Sequence, residues 1–455
     1  MSSMSNLHTA SSGDPKMDPN LSSDREVFKW TELRNITQHA FATATHKAST
    51  VPGSSTLGAP TVLAANGLVC VGTEAGKICV YDFRQTLKCI CGDDTSGMSF
   101  AIQCIYRNIF IIVAIVVGPV TALALSHDHT YVASGHANGY IQIFDLKTPH
   151  TPARSVSPTT LAAVASGRKE GHLEGSRIVR IGFIAGRHTS IVSADDHGLA
   201  FFHRLGKVLF VEASDILRIL GKYHEDEIPR TSRTSLPSAG TPKKNTLPIP
   251  NTSLPRRRMI RHTILDMMPL PLGTSPHATD AYNVIALLTP TKLVVVGLKP
   301  TPRTWFKCPR LVGEGGSWWS KSKWKGNLAW FPSVLPASRS VDKQFSVGAP
   351  QQLIPTIPIL VFTWGSALRF IRVTESRTKE ISRHPRTGKK TEIEVGRIVC
   401  GDAGRWSAES DILAVQWLNA NVGSFASVYG VMIRRFNILD SKSLCSRRQH
   451  WVCMT

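Results

Sequence analysis

Three short segments of the chain carry residue types that could bind a phosphate or a metal ion. Gly72–Lys77 reads GTEAGK, which is similar to a phosphate-binding loop but is one residue short and lacks the Ser or Thr after the Lys. His127-Asp128-His129 and Asp195-Asp196-His197 combine imidazoles with carboxylates. Both read as turns, because short polar side chains satisfy turn backbone groups. We therefore predict no metal site and no cofactor site.

Nucleophilic and thiol chemistry is also poorly supported by the sequence. The chain contains neither G-x-S-x-G nor H-E-x-x-H, the patterns of hydrolase nucleophiles and zinc proteases. Its nine cysteines are odd in number and irregularly spaced, with Cys89 and Cys91 forming only a C-x-C. That spacing argues against a disulfide framework and a zinc site. We predict no catalytic residue, and reduced cysteines in a cytosolic protein.

The elements that position these segments are three copies of a strand–turn–strand repeat, at Leu68–Phe83, Tyr131–Leu146 and Ser190–Leu205. In each copy an apolar strand ends in a small residue, and a Gly follows four positions later. Such a Gly adopts the positive φ of a tight hairpin turn. The second strand ends in aromatic-Asp, or in His-Arg in the third copy, as WD-type propeller blades do. The repeat positions are Gly72, Gly76, Asp82, Gly135, Gly139, Asp145 and Gly198.

Further strand signals surround the repeats, so we predict an all-β fold, a WD-repeat β-propeller. Apolar strands precede the second and third copies, and less regular ones follow the third. The run Ile109–Val117 is too short to span a membrane, and we predict a buried strand there. The other predicted strands are Val120–Ser126, Ile178–Ile184, Val284–Leu288, Lys292–Leu298, Ile359–Phe362, Ala367–Val373 and Asp411–Leu418.

Composition divides the chain into five segments. Residues 1–56 are polar and predicted to be disordered. Residues 57–223 hold the first blades, with an atypical apolar insert at 98–117. Residues 224–262 form a Pro-, Ser- and Thr-rich basic insertion that we predict to be disordered. Residues 263–421 hold further blades, and 422–455 form a divergent tail.

The formal net charge of +21 alone would suggest nucleic acid or an anionic surface as partner. The excess lies in Arg230–Arg261, Lys299–Lys325 and Arg369–Lys390, which read as loops. No zinc-finger, RNP-type or helix-turn-helix pattern accompanies it, so we predict no nucleic-acid binding. These basic stretches are either solvated linkers or a patch that binds membranes or acidic partners. Trp318-Trp319 and Trp324 lie among lysines, as an interaction patch or as a packed loop.

The stretch Gly118–Tyr223 resembles one protein family. Its strings SGRKEGH and SADDHGLAFFH are more specific than a generic WD repeat. They are similar to the N-terminal WD-repeat propeller of the vacuolar protein sorting-associated protein 8 family, in a fungal form. The resemblance resumes at Leu360–Val373 and Gly404–Asn419, and it covers Leu57–Asn421.

The resemblance implies a non-catalytic scaffold subunit of the CORVET tethering complex, which bridges early endosomal membranes on the route to the vacuole. The implied partners are the class C vacuolar protein sorting core subunits, other CORVET subunits and the early-endosomal Rab GTPase. Peripheral contact with the endosomal membrane, from the cytoplasm, is also implied. The resemblance does not say which residues of this chain contact these partners.

This sequence departs from the family pattern in three places. The family continues into an α-solenoid and a RING-type zinc domain, and neither follows before Thr455. Residues 98–117 interrupt the repeat, where we hypothesise a translated intron. After Asn421 the tail is unlike a propeller strand, as a frameshift or intron would produce. We therefore expect an incomplete propeller. An unrelated WD-repeat adaptor of a ubiquitin-ligase or chromatin assembly is the alternative.

Overall fold

The computed structural model describes most of the chain between Glu32 and Val452. The described residues are 32–45, 57–93, 104–106, 109–111, 117–184, 186–208, 211–223, 263–313, 324–335, 355–383, 390–419, 422–427, 430–435 and 450–452. The predicted disorder of 1–31, 46–56 and 224–262 concerns residues outside this set. Within the N-terminal segment, Arg34–Thr45 forms helix α1.

Six four-stranded antiparallel sheets, which we call blades 1 to 6, account for most of the described residues. Blade 1 comprises β1 Pro60–Asn66, β2 Leu68–Thr73, β3 Ile78–Tyr81 and β4 Leu87–Cys91, and it is followed by a separate hairpin of β5 Cys104–Tyr106 and β6 Ile109–Ile111. Blade 2 comprises β7 Val120–Leu125, β8 Tyr131–His136, β9 Ile141–Asp145 and β10 Arg154–Val156, and helix α2 Leu161–Ala165 follows. Blade 3 comprises β11 Ile178–Phe183, β12 Ser190–Asp195, β13 Ala200–Val208 and β14 Val211–Leu220.

The second half of the chain repeats this order with less regular strands. Blade 4 comprises β15 Asp266–Pro269, β16 Val284–Leu288, β17 Lys292–Gly297 and β18 Arg303–Pro309, with a 3-10 turn at Ala278–Tyr282. Blade 5 comprises β19 Leu328–Phe331, β20 Ile359–Trp364, β21 Ala367–Arg383 and β22 Lys390–Ser407. Blade 6 comprises β23 Ile412–Asn419, β24 Val422–Ser427, β25 Gly430–Arg435 and β26 His450–Val452. Within the described residues no helix combines the length and the apolar character needed to cross a membrane.

Consecutive blades pack face to face, because alternate residues of each strand point to opposite faces of its sheet. Cys70, Ile78 and Val80 of blade 1 pack against Val132 and Phe144 of blade 2. The opposite face of blade 2, through Ala133, Ile141 and Ile143, packs against Ile191 of blade 3. Equivalent cores join blades 3 and 4, 4 and 5, and 5 and 6. This is the arrangement of propeller blades around an axis.

Two regions differ from the sequence-based expectations. Sequence reasoning predicted no propeller strand after Asn421, whereas β24, β25 and β26 complete blade 6 beside β23. In the apolar insert, only Ile109–Ile111 of the predicted strand is described as one. It pairs with Cys104–Tyr106 in a two-stranded sheet outside the blades. Residues 112–116, the rest of that predicted strand apart from Val117, lie outside the described residues.

Blade 5 carries a hairpin much longer than the predicted strand Ala367–Val373. β21 pairs with β20 only as far as Arg372, yet its pairing with β22 continues to Arg383 opposite Lys390. A two-stranded ribbon therefore extends beyond the blade. Its base is fixed to blade 4, where the Tyr282 hydroxyl donates a hydrogen bond to Glu375 Oε1 at 2.5 Å.

Candidate functional site

The repeat glycines lie in the turns between the second and third strands of blades 1, 2 and 3. Gly76, Gly139 and Gly198 have φ values of 81°, 84° and 86°. L-residues with a side chain rarely adopt that region, whereas Gly does so at little cost. The shared column of glycines in the sequence thus corresponds to one shared backbone conformation in the structure.

The small residues that end the second strands are required by the neighbouring blade. A Cβ at Gly72 would lie 2.6 Å from Cγ1 of Val120, and one at Gly135 would lie 2.3 Å from Cγ2 of Ile178. Both partners belong to the first strand of the following blade. These two glycines therefore allow close blade-to-blade contact.

The next residue in each copy is polar and buried, and in blades 1 and 3 its side chain bonds its own turn. Thr73 Oγ1 accepts a hydrogen bond from the backbone N–H of Lys77 at 3.2 Å. His136 occupies the position in blade 2, and Asp195 occupies it in blade 3. Asp195 Oδ1 accepts from the backbone N–H groups of His197 and Leu199 at 3.0 and 2.9 Å. Asp195 therefore stabilises the turn in which sequence reasoning placed it.

Asp195 is also part of a buried arrangement that we call the blade 3 polar cluster, consisting of His172, Ser193, Asp195 and His203. His172 Nδ1 lies 2.7 Å from Asp195 Oδ2, and His172 Nε2 lies 2.6 Å from Ser193 Oγ. Ser193 Oγ lies 2.7 Å from His203 Nε2. Ser193 and His203 lie on paired strands, whereas His172 lies on the connection from blade 2.

The cluster contains Ser, His and Asp bonded in the order of a hydrolase triad, in which the Ser would be the nucleophile. A nucleophilic Ser must reach a substrate carbonyl while its Oγ donates to a single base. Here all four residues are at most 2% exposed. The Ser193 hydroxyl has one proton and lies between two imidazoles, so one of the imidazoles must donate to it. The Phe201 ring packs edge-on against His172, with centroids 4.7 Å apart. The geometry supports a structural role, in which the cluster holds the blade 2–3 connection against blade 3.

Sequence reasoning missed this cluster because His172 is 23 positions from Asp195 along the chain. A signal was nevertheless present. Ser134 and Ser193 occupy the same repeat column, and His203 lies in the column otherwise filled by Tyr81 and Phe144. A Ser column followed by a polar turn residue is what a buried hydrogen-bond network between strand and turn requires.

Blade 2 uses His136 where blade 3 uses Asp195. His136 Nδ1 lies 3.0 Å from the carbonyl oxygen of Gly118, and its Nε2 lies 3.0 Å from Ser134 Oγ. Because a carbonyl only accepts, Nδ1 carries the proton and Nε2 of the neutral ring accepts from Ser134. Burial lowers the pKa of His136 to about 4, and burial together with the nearby His172 lowers the pKa of His203 to about 3.

The other segments singled out in the sequence have local structural partners. The Gly72–Lys77 turn closes with Thr73 N–H donating to the Lys77 carbonyl at 3.0 Å, and the Lys77 amine pairs with Asp93. Asp82 and Asp145 accept hydrogen bonds from backbone N–H groups in the turns that follow them. Asp128 accepts from Ser126 and Thr130 and pairs with His188.

No group of three or more His, Cys, Asp or Glu side chains suited to a metal ion occurs among the described residues. Cys70, Cys79, Cys89, Cys91, Cys308 and Cys400 are free thiols. Burial raises the pKa of Cys70 to about 12 and that of Cys79 to about 11. Trp318 and Trp319 lie outside the described residues. What these residues define is a β-propeller of the WD type, a class of protein that presents rigid surfaces to partners.

A sequence profile of the Vps8 β-propeller matches residues 26–424, and the chain belongs to that family. The match and the four-stranded blades confirm the predicted all-β propeller. A mouse relative, the vacuolar protein sorting-associated protein 8 homolog, is 22% identical over 252 residues. The aligned region covers 55% of this chain and 13% of the mouse protein, so the chain spans a small part of that relative's length.

Two solved structures show a similar arrangement at low identity. One is the Cps50 (Swd1) β-propeller domain of Myceliophteria thermophila, with a TM-score of 0.40, 9% identity and 86% of each chain covered. The other is a chain of the mitotic checkpoint complex, with a TM-score of 0.40 and 11% identity, covering 97% of this chain and 89% of that one.

Proposed function

We propose that this protein is a non-catalytic scaffold subunit of an endosomal vesicle-tethering complex of the CORVET type. The observation that carries the proposal is the family match across residues 26–424. The protein acts in endosome-to-vacuole transport by binding other proteins through its propeller. Its sequence is of a fungal form.

The proposed partners are the class C vacuolar protein sorting core subunits, other CORVET subunits and the early-endosomal Rab GTPase. A propeller suits this role because its blades hold many loops in fixed positions on two opposite faces. The protein works in the cytoplasm and contacts endosomal membranes peripherally, without binding nucleic acid.

The proposed domain organisation keeps the boundaries drawn from the sequence, except at the end of the second block of blades. Residues 57–223 and 263–421 form the two blocks of blades, separated by the basic insertion 224–262, with the tail at 422–455. Blade 6 includes strands of that tail, so the second block extends into it. The proposed absence of catalysis is supported by the burial of Ser193, the residue whose surroundings are most similar to those of a nucleophile.

Affinity purification of the full chain from fungal cells tests the proposal. We expect recovery of the class C core subunits together with an early-endosomal Rab GTPase in its GTP-bound state. Recovery of cullin or histone assemblies in their place would overturn it in favour of the alternative adaptor role.

Two surface variants sharpen the test. Phe83 is 67% exposed in a turn between the third and fourth strands of a blade, and Val312 is fully exposed just after a fourth strand. Phe83 precedes a fourth strand and Val312 follows one, so the two residues lie at opposite ends of equivalent strands. These positions therefore lie on opposite faces of the propeller. Phe83→Asp and Val312→Asp are therefore matched controls for each other. We expect one of them to reduce recovery of a given partner while both variants keep wild-type unfolding curves.

A further inference from the structure

Blade 1 carries two cysteines side by side on its outermost strand. Cys89 and Cys91 lie two positions apart on β4, so their side chains point to the same face of the sheet. On β3 they are opposite Val80 and Ile78, and both of those residues belong to the core that blades 1 and 2 share. The C-x-C of the sequence is therefore a pair of neighbouring free thiols at the blade 1–2 core.

The two thiols of the pair differ in exposure. Cys89 is half-buried at the margin of the core, whereas Cys91 is completely buried within it. A small reagent in solvent therefore reaches the sulfur of Cys89 first. The sulfur of Cys91 lies behind it, close enough to react with whatever forms at Cys89.

The surroundings of the pair favour the thiolate form of Cys89. A hydrogen bond from the Cys91 thiol is the main influence and holds the pKa of Cys89 below its usual range, against partial burial and with help from the charge of Lys88. The same hydrogen bond and burial raise the pKa of Cys91. Because the thiolate is the nucleophilic form of cysteine, Cys89 is the attacking sulfur and Cys91 is a protonated neighbour.

Cys400 provides a comparison within the same molecule. It also lies on the fourth strand of a blade, β22 of blade 5, and it is also half-buried. The residues two positions from it are Ile398 and Asp402, so it has no C-x-C partner. Burial raises the pKa of Cys400 to about 12. Partial exposure on an outermost strand therefore does not activate a thiol by itself, and the neighbouring thiol distinguishes Cys89.

The spacing of the pair allows a disulfide. A strand rises about 3.3–3.4 Å per residue, so Cα atoms two positions apart are separated by about 6.6–6.8 Å. Native disulfides join Cα atoms about 4.4–6.8 Å apart, which places a Cys89–Cys91 bridge at the upper end of that range. Strained or exposed bridges are the ones that reducing thiols reopen most readily. We therefore expect a bridge here to be reversible.

We propose that Cys89 and Cys91 form a site of reversible oxidation whose reactant is a peroxide. The Cys89 thiolate attacks one peroxide oxygen, so the O–O bond breaks, the sulfur is oxidised to a sulfenic acid, and the other oxygen leaves and takes up a proton. The Cys91 sulfur then attacks the Cys89 sulfur. The S–S bond forms, the S–O bond breaks, and the hydroxyl leaves as water with the Cys91 proton. This inference does not depend on the proposed tethering role.

Mass spectrometry of the purified full chain after graded treatment with hydrogen peroxide tests the site. Remaining thiols are alkylated with iodoacetamide, and trypsin then releases the peptide Cys89–Arg107. We expect this peptide to lose two hydrogens, with fragment ions that place the bridge between Cys89 and Cys91 and show Cys104 alkylated. Dithiothreitol should restore both thiols. A bridge from Cys89 to Cys104 would overturn the proposal.

The same digest contains the internal control. Trypsin releases Cys400 in the peptide Ile398–Arg405, which holds no other cysteine. We expect Cys89 to be oxidised about tenfold faster than Cys400 or more, because only Cys89 has a thiol partner that favours its thiolate. Oxidation of Cys89 no faster than that of Cys400 would equally overturn the proposal.

Substitutions separate the roles of the two sulfurs. Cys91→Ala removes the second thiol, so we expect a sulfenic acid at Cys89 that dimedone traps, and no bridge. Cys89→Ser should leave the buried Cys91 unmodified at the same peroxide concentrations. Cys79→Ala, on the opposite face of the same sheet, is the matched control and should keep the bridge. Oxidation of Cys91 in Cys89→Ser at the wild-type rate would contradict the order of attack, and this result decides the matter even if Cys91→Ala does not fold.

Discussion

Blades 2 and 3 fill the same turn position with different polar residues. In blade 2 the residue is His136, a neutral ring bonded to one Ser and one carbonyl. In blade 3 it is Asp195, a carboxyl that bonds its own turn and also reaches His172 from the preceding connection. Both are completely buried. Both side chains therefore reach the connection that precedes their blade, at Gly118 and at His172, but only that of Asp195 also bonds its own turn.

This difference predicts that replacing the two residues by Ala lowers the free energy of unfolding by unequal amounts. Asp195→Ala leaves the His172 Nδ1 and two turn N–H groups without their partner. We expect it to lower the free energy of unfolding by about 3–5 kcal/mol, as loss of a buried charged partner does. His136→Ala in blade 2 should cost about 1–3 kcal/mol, the range for an unsatisfied buried neutral group. Urea unfolding followed by tryptophan fluorescence measures both.

Asp196→Ala is the control for that comparison, because Asp196 is adjacent but 40% exposed at its side chain. Asp196 accepts one hydrogen bond from the Arg177 backbone N–H at 3.1 Å, so its removal should cost about 0.5–1.5 kcal/mol. Equal destabilisation by Asp195→Ala and Asp196→Ala would contradict the structural role assigned to the polar cluster.

Blades 2 and 3 also differ in the small residue that ends their second strand. Gly135 of blade 2 lies against Ile178, whereas the aligned residue of blade 3 is a buried Ala, Ala194. Gly135→Ala should therefore destabilise the protein by about 1–3 kcal/mol through overpacking. Thermal unfolding by differential scanning calorimetry measures the change, with Gly206→Ala as control, since no atom lies within 4 Å of a Cβ built there. A Gly135→Ala variant as stable as Gly206→Ala would show that the blades are not packed this closely.

Much of the fold in blades 1–3 could be predicted from the sequence because its determinants are local. A turn Gly, a small residue and an alternating strand all lie within one repeat, so the columns of Gly76, Gly139 and Gly198 were visible. The polar cluster was not, because Asp195 meets His172 only after the chain folds back. The blade 5 ribbon and β24–β26 were missed for a related reason. Their strands lack the Gly column, and pairing with a neighbouring strand overrides weak local propensity.

We expect the free energy of unfolding to fall in acid because of two buried histidines. The folded pKa values of about 4 for His136 and about 3 for His203 lie below that of an exposed histidine, which is about 6.5. Below pH 6.5 the unfolded chain therefore binds more protons than the folded chain. The stability that the protein has while both imidazoles are neutral is present above pH 6.5, and it is lost as the pH falls towards the folded pKa values. At pH 5 each histidine should have lost about 2 kcal/mol of stability.

The two histidines can be separated by substitution. His203→Gln keeps a polar side chain but removes the titration, so the difference in unfolding free energy between pH 7 and pH 5 should shrink by about 2 kcal/mol. Urea titrations at the two pH values provide the measurement. An unchanged pH dependence would mean that His203 titrates normally in the folded protein.

The smallest effect is expected where an Asp–His pair lies at the surface. His188 Nε2 is 2.8 Å from Asp128 Oδ2, with side chains 37% and 45% exposed, whereas the His172–Asp195 pair is fully buried. Although partial burial acts in the opposite direction, hydrogen bonds from Ser126 and Thr130 hold the pKa of Asp128 well below its usual range. The carboxylate thus keeps partners when His188 is removed. His188→Ala should cost about 0–1 kcal/mol, measured by urea unfolding beside His172→Ala. A cost for His188→Ala as large as that for His172→Ala would mean that burial does not set the difference between the two pairs.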